Sequence, residues 1–118
     1  MYDTFEICLY DAKMNCSNHN DLLSDTNLSR YVSVKNDLTA ANLTGQDLSG
    51  MILINTVLRG TNLSYANLSN SDLTQLDLRG VDLRWANLQG ANLQGANLHL
   101  VSLHGANLQG ANLQGANL

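Results

Sequence analysis

A leucine stands at every fifth position from Leu38 to Leu118, seventeen of them in unbroken register. Few folds accept such a period. On an α-helix, leucines five apart rotate by about 140° net and smear around the whole surface. In a long strand, with its period of two, they alternate between faces. A period of five repeats in space if the chain bends once per unit, so that each unit is one short extended side and one corner. The neighbours of each central leucine fit that geometry. The residue before it is Asn or Asp in fourteen of the seventeen units. The residue two before it is Ala in eight, and otherwise mostly small or aliphatic, as at Thr61, Ser71 and Val81. The leucine and this small residue share a parity, so both point inward, while the Asn or Asp between them points outward. All nine glycines fall two after a central leucine, where a corner needs a positive φ.

The pattern A-(N/D)-L-x-x over residues 36–118 closely resembles the pentapeptide-repeat family, whose Leu-centred members are numerous in cyanobacteria. The resemblance implies an all-β fold, a right-handed quadrilateral β-helix with four pentapeptides to each coil. Residues twenty apart then lie above one another, and successive coils are separated by roughly 4.8 Å. About four coils follow, a rod roughly 20 Å long. Leu38, Leu58, Leu78, Leu98 and Leu118 form one of four leucine columns. A large residue in place of Ala91 would overpack the interior. Asn67, Asn87 and Asn107 are expected to stack as an amide ladder, as is Asn92 with Asn112.

Residues 1–20 are expected to form an N-terminal cap segment, and 21–118 the β-helix, regular from about 36. Within the cap, TFEICLY alternates Phe5, Ile7 and Leu9 against Glu6, Cys8 and Tyr10, which reads as an amphipathic strand folded over the first coil. Leu23 and Leu28 keep the phase of the repeat and Ser33 breaks it, so one irregular coil is expected from about residue 20. Cys8 and Cys16 are expected to be two free thiols in a reducing compartment, with a disulfide within the cap as the alternative. At the other end the sequence stops at Leu118, in mid-unit. Either a second copy stacks there, giving an end-to-end homo-oligomer, or the chain is part of a longer repeat protein.

Charge narrows the function classes. The formal net charge is −4 and charged residues make up 14% of the chain, so there is no basic footprint for direct nucleic-acid binding. No apolar run approaches the length that spans a bilayer, and MYDTFEICLYD carries acids where a secretory signal carries bases. A soluble cytoplasmic protein with no membrane partner is expected.

The candidate partner-binding residues are those that break the repeat. Tyr65 and Trp85 occupy corners where glycine is usual and, twenty apart, should stack, with Gly45 and Gly105 flanking them in the same column. Arg84 adjoins Trp85. Arg59, Arg79 and His99 form a further column with Thr39. Either the two rings merely pack on each other and shield the backbone while Asp77 and Asp82 offset the arginines, or the arginines and aromatics form a patch for an acidic partner. His99 and His104 are five apart and should diverge across a corner, which is poor zinc geometry, so no metal site is expected. His19 reads as a solvated loop residue. Ile52, Ile54 and Val57 place apolar groups at normally outward positions, and coverage by the N-terminal segment is the favoured outcome.

These features point to a non-enzymatic interaction or regulatory module built on a rigid rod. No nucleophile–base pair, cofactor motif or metal motif is readable, and a rod without a cleft is poor material for an enzyme. A spacer, or a fragment of a larger repeat protein, is one alternative. Another comes from the resemblance, since some family members imitate duplex DNA and bind DNA gyrase. Charge disfavours it. Duplex DNA presents one negative charge per roughly 1.7 Å, about twelve over a rod of this length. Residues 37–118 hold five Asp and three Arg, a net of −2. Gyrase-binding members also tend to carry Phe centres and a C-terminal dimerising segment, which this sequence lacks.

Overall fold

Each five-residue unit is a three-residue extended side followed by a turn, and the turn explains the composition of the corner. In the computed structural model, which describes residues 37–118 and three two-residue strands upstream, Ala66 N–H donates to the Leu63 carbonyl at 3.1 Å, closing a four-residue turn. The third residue of that turn, Tyr65, has φ of 60°. All sixteen corners from Ala40 to Gly115 take this left-handed conformation, nine at glycine and seven at other residues. A type II turn requires a positive φ at that place.

The sides stack in parallel, twenty residues apart, from Asp37 on Val57 to Asn97 on Asn117. The bonds alternate in direction, as in a parallel ladder: Leu63 N–H donates to the Asp82 carbonyl at 2.8 Å, and Asp82 N–H to the Thr61 carbonyl at 3.1 Å. Four pentapeptides therefore make one coil, and the fold is a right-handed quadrilateral β-helix. One rung in this run of bridges is absent among the described residues, between Val57 and Asp77.

The core is the leucine columns with the small residues between them. Leu43, Leu63, Leu68, Leu83 and Leu88 are buried, as are Ala66, Ala86, Ala91 and Ala96. Met51 and Leu76 are larger residues at the inward position beside the leucines, and both are buried. Buried hydroxyls find acceptors: Thr61 Oγ1 donates to the Leu38 carbonyl at 2.8 Å, Ser71 Oγ to the Leu68 carbonyl at 2.6 Å and Ser64 Oγ to Asn62 Oδ1 at 2.7 Å.

The outward Asn and Asp residues act differently from the expected amide ladder. From Asp37 to Asn112 each accepts, through Oδ1, the backbone N–H two residues on: Ser69 N–H donates to Asn67 at 3.1 Å, Gln89 N–H to Asn87 at 3.0 Å and Gln109 N–H to Asn107 at 3.0 Å. This Asx bond holds the entry to the turn, and Asp serves it as well as Asn. Amide-to-amide bonds do occur from Asn112 to Asn92 at 3.3 Å and from Asn117 to Asn97 at 3.1 Å.

Upstream, β1 (Leu9–Tyr10) lies between β2 (Cys16–Ser17) and β3 (Val32–Ser33), antiparallel to both. Leu9 pairs with Ser17 on one side and Ser33 on the other. β1 falls within TFEICLY, where a strand is expected. The capping role of that stretch, the irregular coil from about residue 20, His19 and the state of Cys8 and Cys16 lie outside the described residues.

Candidate partner-binding face

Two adjacent faces of the rod carry every arginine of residues 37–118. One face is centred on Leu58, Leu78 and Leu98, the next on Leu63, Leu83 and Leu103, and the corner column between them is Gly60, Gly80 and Leu100. His99 lies on the first face and His104 on the second. The other two faces hold only Asp47 and Asp72 as charged residues.

The far corner of the second face carries the aromatic pair. Tyr65 and Trp85 stack with ring centroids 6.4 Å apart and planes 15° apart, as their twenty-residue spacing predicts. They remain 63% and 50% exposed. Both sit at a φ near +60°, which costs a residue with a Cβ about 1–2 kcal/mol relative to ordinary backbone. His104 meets Trp85 edge-on at 5.1 Å. That contact is absent from the sequence expectation, although the signal is there: His104 lies one coil below Arg84, the residue beside Trp85. The Trp85 ring also lies over the next corner of its column. A Cβ built on Gly105 would stand 2.2 Å from Trp85 Cε3, so the indole needs glycine below it.

The arginines divide into paired and unpaired. Arg84 forks onto Asp82, Nε to Oδ1 at 2.9 Å and Nη2 to Oδ2 at 2.6 Å. Arg79 forks onto Asp77 in the same way, at 2.8 and 2.7 Å. The side-chain bonds from Arg79, reinforced by its backbone N–H, pull the Asp77 carboxyl down to about 2. The Arg84 bonds likewise lower Asp82. Arg59 is different. Its unit has Val57 where the others have the acid, and among the described residues Arg59 makes no ion pair. Val57 is 48% exposed and Ile54 is also exposed, while the segment expected to cover them lies outside the described residues.

Two shallow recesses meet at Gly80. One, of about 320 Å³, is lined by Arg59, Asp77, Arg79 and Gly80. The other, of about 360 Å³, is lined by residues including Asp82, Arg84, Leu100 and Ser102. Leu100 projects beneath, 87% exposed at a φ of 60°. Sequence reasoning passed over it, though a leucine at a glycine corner is the same kind of signal as Tyr65 and Trp85. Among the described residues no three His, Cys, Asp or Glu side chains are grouped to hold a metal, and no helix is long and apolar enough to cross a membrane.

Comparison with known proteins places this architecture. The family model for pentapeptide repeats matches residues 37–75 and 82–118, in eight copies. The crystal structure of a pentapeptide repeat protein, Rfr23, from the cyanobacterium Cyanothece 51142 matches with 44% identity and a TM-score of 0.70, over 73% of this chain and 58% of that one. A pentapeptide repeat protein of the Arabidopsis thaliana thylakoid lumen matches with 29% identity and a TM-score of 0.49, over 70% of this chain and 65% of that one. HetL from Nostoc sp. strain PCC 7120 matches with 39% identity and a TM-score of 0.45, over 70% of this chain and 38% of that one. The chain thus spans less than two thirds of the length of each of these three structures. No curated protein matches the chain.

Proposed function

The chain belongs to the pentapeptide-repeat family, and from that premise we propose that it is a non-enzymatic protein–protein interaction or regulatory module whose working surface is the Tyr65–Trp85 corner with Arg84 beside it. The observation that carries this is the exposed, strained aromatic stack. Glycine fills nine of the sixteen corners at no backbone cost, and of the seven non-glycine corners only these two carry aromatic rings. Tyr65 and Trp85 accept a positive φ and still leave half or more of their surface in solvent. Such rings contribute less to the coil than buried residues would, and exposed Tyr, Trp and Arg are the usual anchors of interfaces. The absence of an enclosed cleft among the described residues supports a binding role over a catalytic one.

A spacer role within a longer repeat protein is the second reading, favoured by the 58% span of the Cyanothece structure. Mimicry of DNA fits poorly. Of the five aspartates on the coil, Asp77 and Asp82 are each neutralised by an arginine two residues on, which leaves too few free charges to imitate a phosphate backbone.

Affinity capture from the source lysate tests the proposal. Wild type runs beside a Tyr65→Ala/Trp85→Ala variant, both checked for an unchanged circular dichroism spectrum. A protein held by wild type and lost by the variant is the expected result. Equal recovery from both moves the site elsewhere, and no specific recovery from either favours the spacer.

A further inference from the structure

We propose that the corner between Gly60 and Gly80 docks an extended acidic segment of a protein partner, with Arg59 taking its carboxylate. The proposal rests on the interaction-module reading and names the chemistry of the partner. Four features meet at this corner.

The first is a guanidinium that forms no fork with a carboxylate, although it feels Asp77 across the recess. Arg79 and Arg84 each spend their guanidinium on an aspartate two residues earlier, at 2.6–2.9 Å. Arg59 occupies the same place in its unit, but the residue two before it is Val57. A carboxylate supplied from outside would give Arg59 the bidentate geometry its neighbours already have. The second is shape. Gly60 and Gly80 leave the corner without side chains, and a Cβ at Gly80 would meet only the Gly60 backbone at 3.7 Å. The recess on each side of Gly80 therefore opens onto the corner. The third is apolar exposure, with Val57 beside Arg59 and Leu100 below Gly80. The fourth is the missing rung between Val57 and Asp77, at the rim of the same recess.

Charge complementarity selects the occupant. All the arginines of the coil lie on the two faces that meet here, and the opposite faces carry only aspartate. Arg59 offers a guanidinium that makes no ion pair among the described residues, although its charge reaches Asp77 across the recess, and Val57 beside it is apolar and exposed. That suits a carboxylate flanked by an aliphatic side chain better than the continuous phosphates of a nucleic acid, which call for several cations in a row.

The test is peptide-display selection on immobilised wild type, Val57→Asp and Arg59→Gln. Val57→Asp gives Arg59 the internal partner that Arg79 and Arg84 have. Arg59→Gln removes the charge directly and serves if an acid between Asp37 and Asp77 disturbs the column. Wild type is expected to enrich sequences with Asp or Glu beside an aliphatic residue. The labelled consensus peptide should bind both variants, and its own Asn/Gln analogue should bind wild type, at least tenfold more weakly. A neutral or basic consensus, or equal binding to all three proteins, overturns the proposal. A labelled single-stranded oligonucleotide bound with the same dependence on Arg59 overturns it in favour of a phosphate site. Lysate capture separates this from the parent reading. Loss with Tyr65→Ala/Trp85→Ala but not with Arg59→Gln leaves the interaction module standing and removes the acidic dock. Loss with Arg59→Gln alone supports the dock and removes the aromatic corner.

Discussion

At the residue scale, the corner is where this fold is least forgiving, and two kinds of cost can be separated there. Gly110 and Gly105 have the same φ, 73°. A Cβ at Gly110 would meet only the Gly90 backbone, at 3.8 Å, whereas one at Gly105 would run into the Trp85 ring. Gly110→Ala should therefore cost about 1–2 kcal/mol, the price of a left-handed alanine. Gly105→Ala should cost more in thermal melts, and the excess should vanish in a Trp85→Ala background. An excess that survives there would mean that the indole is not what makes Gly105 necessary. Charge gives a second prediction. The Asp77 carboxyl falls from 3.8 to about 2 in the folded chain. A depressed carboxylate stabilises above its unfolded value and loses that contribution as pH falls through the folded one. Asp77→Asn keeps an acceptor for the Arg79 N–H but not the charge. Its melting temperature should lie slightly below that of wild type at pH 6, and the gap should narrow as pH falls below 3.8 and vanish only below about 2. The effect stays small because both partners are about half exposed.

At the scale of the coil, stability comes from columns that each add one leucine per turn. Leu68 is fully enclosed, while Leu108, two coils on in the same column, is only partly buried. Leu68→Ala should cost about 2–5 kcal/mol, and Leu108→Ala clearly less. Equal losses in chemical denaturation would show that the coil of Leu108 is covered in solution. The leucine columns were legible in the sequence because inward and outward positions alternate along each side and the chain bends once every five residues. Met51 and Leu76 show the limit of that reading, since the inward position tolerates more volume than alanine implies. The role of the outward Asn was only half legible. Stacking predicts a ladder, but the bond to the N–H two residues on depends on turn geometry, which a spacing does not reveal. The Tyr65–Trp85 stack followed from their spacing of twenty, and so did the position of the arginines. The isolation of Arg59 was also written in the sequence, as Val57, but it gained meaning only beside the Asp77–Arg79 and Asp82–Arg84 forks. His104 on Trp85 depends on how an indole tilts across a corner.

At the scale of the molecule, a solenoid is a sum of coils and of the interfaces between them, so protection from hydrogen exchange should follow position along the rod. The N–H groups of Leu68, Leu88 and Leu98 each donate to the coil below at 2.7 Å. Those of Leu103, Leu108 and Leu113 have no coil below them among the described residues, and their side chains are only partly buried. In a polypeptide of residues 1–118 alone, in dilute solution, these three amides should exchange far faster than Leu68 and Leu88, as read by exchange and NMR. The expected end-to-end association makes a sharper claim. A second copy seated on this coil would supply acceptors, so protection at Leu103, Leu108 and Leu113 should rise with protein concentration while that at Leu68 stays constant. Protection that is low and independent of concentration would rule out stacking through this surface. The interior of the rod would then contribute its stability without help from a partner, and any recognition would belong to its faces and corners.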